Sequence, residues 1–495
     1  MEHSPASASA LASASAPASA PASALFTDFY SLTMAHGYWK NQMTSRSVFE
    51  MFFRKQPFSG GFSIFAGLET LLERLKALAF SPDDILYLKD LRLFDDGFLD
   101  YLKDFRFKGS VWAMDEGTVV FPHEPLVRIE GDLIECQLIE GMSLNVINFQ
   151  SLVATKAARV WLASGKGSVM EFGLRRAQGP DGAMSASRAA FIGGARGTSN
   201  TLAGKEYAIP VLGTMAHAWI MAHESEEAAF EAYAELYPDK TIFLIDTYDT
   251  LKSGAPNAIK VGRKLVEKGE NFGVRLDSGD IHYLSVEVRK MLDAAGLSGA
   301  TITVSNDLDE TIIQALKDAG APVDTWGVGT RMVTGGEEAA FSGVYKLAAR
   351  DDGKGGFIPV MKFSDNPDKT TTPGVKQVWR VTDARGMTVA DALGLDGEDP
   401  IEKGKRYALW HTAADYRHFH HTVDGDAEPL LKLRLDKGVQ VVENPRLVDI
   451  RGRVQSGLDS FDASYKRFLN PHIYKVSITE KLRDLKLDLI HRYLG

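Results

Sequence analysis

The sequence predicts an α/β fold, because a run of strand and helix units lies between Glu171 and Lys346, flanked by α+β segments on both sides. Each unit is a short apolar run that ends in polar residues, followed by a helix-like stretch of the length a β/α crossover needs. The polar ends fall at 171–176, 213–217, 246–249, 275–280, 305–307 and 327–331. In a parallel sheet such ends share one face, where α/β enzymes build their sites. Starts spaced roughly 25 to 40 residues apart give about six or seven strands, fewer than a complete eightfold barrel. An irregular barrel and an open doubly wound sheet both satisfy this pattern.

Residues 1–24 are almost all Ala, Ser and Pro, with no Lys or Arg, and read as a flexible tail without the basic start of a signal peptide. An N-terminal α+β domain is expected over 25–142. It opens with a helix after Thr27 or Asp28, either of which can cap it. A strand follows at Val48 to Lys55, then a Pro-Phe-Ser-Gly-Gly turn, helices that include one starting at Pro82, and short strands from Ser110 to Glu135. The helix-like stretch from Ser143 to Leu162 leads into a catalytic segment over 143–350. Residues 351–495 return to short strands and close on a helix with Leu482, Leu485 and Leu489 on one side, for which Ser477 to Glu480 reads as a capping box. The terminal helix is expected to pack on the body, so that N- and C-terminal segments together build the α+β part.

The chain has 495 residues, 44% of them hydrophobic, enough for two or three domains with well-buried cores. A net charge of -9 and a pI near 5.8 argue against general affinity for nucleic acid or anionic membrane. No apolar stretch approaches the roughly 20 residues that span a bilayer. Cys136 is the only cysteine, which excludes an internal disulfide and a thiolate cluster for metal and fits a reducing cytoplasm.

Arg275, Asp277, Ser278, Gly279 and Asp280 follow the apolar Phe272-Gly273-Val274. Such a turn can present backbone N–H groups to phosphate, its carboxylates can hold Mg²⁺ or sugar hydroxyls, and Arg275 can bind an anion. A solvated turn with a local ion pair is the bland alternative. Gly327-Val328-Gly329-Thr330 is a weak signal alone, but it follows a strand and precedes Arg331, as late phosphate loops in barrels do. Thr214 is a plausible N-cap for the segment from Met215 to His223, which would put His217 in the first helical turn. Phe172 with Arg175 joins a flat apolar face to a cation. His418, His420 and His421 alternate as an exposed strand would, with no carboxylate partner evident.

Jointly these segments resemble the nicotinate phosphoribosyltransferase family. The matching stretches are Thr27-Asp28-Phe29-Tyr30, Phe49 to Arg54, Glu171 to Arg176, Gly213 to His217, Val274 to Asp280, Ser305 to Asp307, Gly327 to Thr330, Gly343-Val344-Tyr345-Lys346 and Asn470-Pro471-His472. They occur in family order from Leu25 nearly to the end. The resemblance implies an irregular, incomplete β/α barrel of the type II phosphoribosyltransferase kind. It also implies transfer of 5-phosphoribosyl from phosphoribosyl pyrophosphate to nicotinate, giving nicotinate mononucleotide and pyrophosphate in NAD salvage. ATP would be hydrolysed alongside through a phosphohistidine at His217, with Mg²⁺ as the metal ion.

By the same resemblance, Tyr30 reaches across a homodimer interface and sandwiches the pyridine ring with Phe172. Thr214 and Arg275 contact or position nicotinate. Arg175, Asp277, Ser278, Gly279, Asp280, Gly327, Gly329 and Thr330 handle ribose and phosphates, Asn306 is a further substrate-binding residue, and Asp277 and Arg275 are also assigned to catalysis. No set of metal ligands is assignable from the sequence. Nicotinamide phosphoribosyltransferase is the competitor inside the superfamily. That family carries an aspartate after its Gly-Thr pair, where Ser199 stands here, and a carboxylate there would repel nicotinate. A Mg²⁺-dependent barrel aldolase or isomerase acting on a sugar phosphate is the alternative from another class, and it would want a lysine at a strand end.

Overall fold

A computed structural model describes residues 22–366, 369–412 and 416–494. The expected tail lies outside them except for Ala22 to Ala24. Six parallel strands form the catalytic sheet: Ser168–Glu171, Gly197–Thr198, Ile242–Leu244, Gly273–Leu276, Thr301–Ser305 and Thr325–Val328. Their interiors are apolar and buried, as Phe243, Val274, Ile302, Val304 and Trp326 show, because helices cover the sheet.

Strand order separates the two architectures left open by the sequence. Ile242–Leu244, Gly273–Leu276, Thr301–Ser305 and Thr325–Val328 lie side by side in chain order, and the last of them pairs with the first strand of the unit, Ser168–Glu171. A doubly wound sheet reverses its order at a switch point, whereas this sheet wraps its end back onto its beginning. It is a curled, incomplete barrel. The opening falls between Gly197–Thr198 and Ile242–Leu244, which are the two ends of the sheet.

The opening corrects one expected strand. The run before 213–217 forms no ladder, only an isolated bridge between Thr198 and Val211, so this segment sits at the edge of the curled sheet as a loop. Gly197–Thr198, expected only as a specificity pair, is the strand instead. Two residues are too short a run to register as periodicity.

A seven-stranded antiparallel sheet packs beside the barrel. It takes Arg46–Phe53, Ser110–Ala113 and Val127–Asp132 from the N-terminal part, Gly343–Asp351 and Phe357–Pro359 after the barrel, and Lys432–Asp436 and Val439–Gln440 from the C-terminal part. A third sheet holds Lys376–Thr382, Thr388–Leu395, Arg406–His411, His418–Thr422, Ala427–Pro429 and Val476–Ile478. The helix Glu140–Ala163 joins the seven-stranded sheet to the barrel and is buried along most of its length. Among the described residues no helix is long and apolar enough to cross a membrane.

Helix starts follow local chemistry, with two corrections. Ser81 and Asp84 form a capping box on Pro82–Asp90, as Pro82 predicts. Asp28 holds the N-cap position of Phe29–Lys40 without a side-chain bond, while the Thr27 hydroxyl donates to Leu138 O. At the chain end the cap is Thr479, whose Oγ1 accepts from Leu482 N at 3.3 Å; Ser477 lies in the strand Val476–Ile478.

Candidate active site

Two adjoining cavities of about 180 and 130 Å³ lie at the carboxyl ends of the parallel strands. Phe172, Arg175, Arg275 and Asp277 line both. The larger adds Ser199, Thr214, His217 and Leu244; the smaller adds Arg176, Asn306, Asp307, Gly327, Gly329 and Thr330. Residues expected from six separate segments therefore meet at one seam.

Arg275 holds the seam together. Its Nε donates to Ser305 Oγ at 2.9 Å, Nη1 to Thr214 Oγ1 at 2.8 Å and Nη2 to Asp277 Oδ1 at 2.8 Å. The guanidinium carbon stands 5.5 Å from the Phe172 ring centroid, within cation–π range. Only 12% of the Arg275 side chain is exposed, so its charge acts in a medium poorer in water than the surface. Asp277 also accepts from Ser305 Oγ. Burial raises its carboxyl pKa, but the Ser305 hydrogen bond and the Arg275 charge outweigh this and hold it below the ordinary carboxylate value.

His217 is the first residue of the helix His217–Met221. The N-cap position belongs to Ala216, not Thr214, whose hydroxyl is turned to Met215 O and the Arg275 guanidinium. Thr247 Oγ1 lies 3.0 Å from His217 Nδ1, and Asp277 Oδ2 lies 3.8 Å from Nε2. The imidazole is thus held between a hydroxyl and a carboxylate at the mouth of the larger cavity.

The turn after Arg275 divides its labour. Asp246 Oδ2 accepts from Asp277 N at 2.9 Å and from Ser278 Oγ at 2.6 Å, which fixes the turn against the neighbouring strand. The Asp246 Oδ1 atom is buried with no protein partner among the described residues. Gly279 takes φ +80°, a conformation that favours glycine. Asp280 caps the helix Ile281–Ala294 by accepting from Tyr283 N at 3.0 Å. Ser278, Gly279 and Asp280 line neither cavity.

Two backbone features shape the smaller cavity. Asn306 and Asp307 are consecutive residues at positive φ, +83° and +44°, strain that Asn and Asp bear better than most and that gathers at functional sites. Gly327 lies against the Phe172 ring, where a Cβ would come within 2.7 Å of two ring carbons. Glycine is required there for the ring to lie flat on the strand.

Glu171, Asp246, Thr247 and Ser305 are the residues that sequence reasoning left without a role. Glu171, 1% exposed, accepts from Gly173 N, Ser187 Oγ and Thr198 Oγ1 with one carboxylate, and its backbone oxygen accepts from Ser199 N. It ties the Phe172 turn to the Ser199 segment. Glu171→Gln keeps the shape but trades one acceptor oxygen for a donor, so one buried group loses its partner. A stability loss of about 1–3 kcal/mol is expected by urea unfolding; unchanged stability would show that the tie is dispensable.

Tyr30 is not brought to the seam. It lies on the exposed face of Phe29–Lys40, 48% exposed beside Phe26 and Phe29, where burial and the Glu140 carboxylate push its phenol pKa up. Among the described residues no group of three or more metal-ligating side chains comes together. The His418 to His421 run is a strand, His418–Thr422, as its alternation predicts.

Comparison with known proteins adds a family to this geometry. Residues 168–382 match the family model described as the nicotinate phosphoribosyltransferase (NAPRTase) family, and residues 25–148 and 375–486 match the models of its N- and C-terminal domains. Nicotinate phosphoribosyltransferase of Bacillus subtilis is 42% identical over 94% of this chain and 95% of its own. The crystal structure of human nicotinic acid phosphoribosyltransferase superposes with a TM-score of 0.82 at 31% identity, covering 94% of this chain and 99% of the human one. A nicotinate-nucleotide pyrophosphorylase structure from Pyrococcus furiosus shares the fold with a TM-score of 0.68, at 23% identity over 88% of this chain and 95% of its own.

Proposed function

The chain belongs to the nicotinate phosphoribosyltransferase family and joins a 5-phosphoribosyl group to nicotinate in NAD biosynthesis; we propose that it does so in the seam around Arg275, coupled to ATP through His217. The observation that carries the reading is the sharing of Phe172, Arg175, Arg275 and Asp277 by both cavities. A flat ring acid fits the larger one, between Phe172 and Thr214. Phosphate groups fit the smaller, with Arg175, Arg176 and the 327–330 loop around them. The bond-forming carbon of the sugar then falls at the seam, beside Asp277.

Loss of pyrophosphate leaves oxocarbenium-like charge on that carbon. Asp277, held ionised by its neighbours, steadies it without forming a covalent sugar. Arg275 orients the carboxylate of nicotinate while its three side-chain bonds keep the guanidinium from turning away. Ser199 lines the ring cavity where a carboxylate would repel the acid. Lys346, the one lysine that an aldolase reading would use, lies outside the parallel sheet on Gly343–Asp351, 3.5 Å from Glu140.

In the ATP step an imidazole nitrogen of His217 displaces ADP from the γ-phosphorus. The phosphohistidine adds about 1.5 to 2 negative charges at the mouth of the site and reorders the loops that grip pyrophosphate. Asp246, whose Oδ1 is buried without a partner, fits a role in holding Mg²⁺, which would neutralise pyrophosphate as it leaves. The architecture is read as that of a type II phosphoribosyltransferase. Tyr30 completes the ring sandwich from a second copy, in a cytoplasmic homodimer with shared sites.

Incubation with γ-labelled ATP tests the coupling. An acid-labile, base-stable phosphate is expected on wild-type protein and none on His217→Ala. Nicotinate mononucleotide made without any label would remove the phosphohistidine; absence of both label and product would overturn the whole assignment.

A further inference from the structure

A third cavity, of about 550 Å³, lies where the N-terminal part meets the third sheet, and it shares no lining residue with the two at the seam. Its lining carries Arg54, His123, His411, Arg417, His418 and Lys475, and no acidic residue among the described residues. That concentration of bases is out of keeping with a chain of net charge -9. The volume is in the range of small-molecule sites.

Apolar and aromatic residues share the lining with these bases: Phe419, Ile473, Tyr474 and Val476. Lys475 Nζ sits 4.9 Å from the centre of the Phe419 ring, so a cation is already fixed beside an aromatic surface. Arg54 Nε is buried with no protein partner among the described residues. A buried donor left this way is costly unless a ligand or water meets it.

Behind Tyr474 the Asp391 carboxylate is paired with a cation. Tyr474 OH donates to Asp391 at 2.9 Å, but Asp391 is also held by Arg380 through Nε at 3.0 Å and Nη2 at 2.5 Å. Burial and the neighbouring Asp391 push the Glu124 carboxyl pKa well up, which disfavours a second buried charge there. The lining thus joins a basic rim of Arg54, Arg417 and Lys475 to the apolar surface of Phe419, Ile473 and Val476.

We propose that this cavity is a second ligand site, separate from the catalytic seam, which takes a nucleotide: phosphates on the basic rim and the base against Phe419. The observation is independent of the ATP-coupled reading of His217.

Equilibrium dialysis of the full-length protein with radiolabelled ATP tests it, with nicotinate turnover measured in parallel. R417A/K475A is expected to lose about one bound ATP per chain while keeping its turnover. R275A, altered only at the seam, is expected to keep that site. The single reversal R417E, at an exposed position, gives the same loss and guards against misfolding of the double variant. Tripolyphosphate is expected to compete at least tenfold more weakly than ATP, because it lacks the ring. ATP stoichiometry unchanged in both R417A/K475A and R417E overturns the proposal. So does a parallel loss of ATP binding and turnover, which would make the cavity part of the catalytic apparatus. Equal competition by tripolyphosphate overturns the nucleotide assignment.

Discussion

Arg275→Met is expected to lower kcat/KM for nicotinate by about thirty- to three-hundredfold. The guanidinium bonds Thr214, Ser305 and Asp277 at once, so the substitution removes three hydrogen bonds and a charge in a single step. Truncating one partner of a hydrogen-bonded charge pair costs about 2–5 kcal/mol, and each 1.4 kcal/mol is tenfold in rate or affinity. The lower half of that span applies, since Asp277 is 29% exposed and water relieves part of its loss. Part of the loss falls on KM, through the missing partner for the ring carboxylate, and part on kcat, because Asp277 and Ser305 lose their anchor. Arg275→Lys separates the two: it restores a charge but cannot reach three acceptors from one plane, so KM recovers more than kcat. Steady-state kinetics of both variants checks this, and a loss below fivefold in Arg275→Met would remove Arg275 from the site.

The convergence on Arg275 was legible in outline because strand ends announce themselves. An apolar run stopping at Arg275-Leu276-Asp277 can be read from one sequence, and parallel strands put such stops on one face. Partners across the seam cannot be read this way. Thr247 reaches His217 from thirty residues away, and Ser305 reaches Arg275 from a neighbouring strand whose register only the folded sheet defines. Glu171 looked like the last residue of a strand; its role appears only once Ser187 and Thr198 arrive at its carboxylate. The segment around Thr214 misled for a related reason. Its composition suits either a strand end or a helix cap, and the curled sheet makes it neither, leaving Thr214 to bond Arg275. At the chain end Ser477 and Thr479 both suit a cap, and pairing of Val476–Ile478 with Thr388–Leu395 decided for Thr479. Tyr30 marks the limit of a single chain. Its exposed position is consistent with service to a second copy, but no residue on its own helix could have said so.

Asp277→Asn is expected to lower kcat by about a hundred- to a thousandfold with a smaller effect on KM. The carboxylate is the one anion among the residues that line both cavities, and in the proposed reading it stands where positive charge builds as pyrophosphate leaves. Removing one preorganised electrostatic contact at such a point costs about 2.7–4 kcal/mol in better-known sites. The amide still accepts from Ser305 and Arg275, so the ground-state fold of the seam survives while its charge does not. The pH profile supplies the discriminating measurement. Asp277 has a folded-state pKa below its unfolded value, so its charge and the stability it contributes are fully present above the ordinary carboxylate range, and both are lost as pH falls through the lower folded value. Between about pH 5 and 8 the ratio of wild-type to variant kcat should therefore be flat. A ratio that shrinks towards pH 5 would mean that Asp277 takes up a proton in that range, and the carboxylate would then act as an acid rather than as a fixed charge beside the sugar.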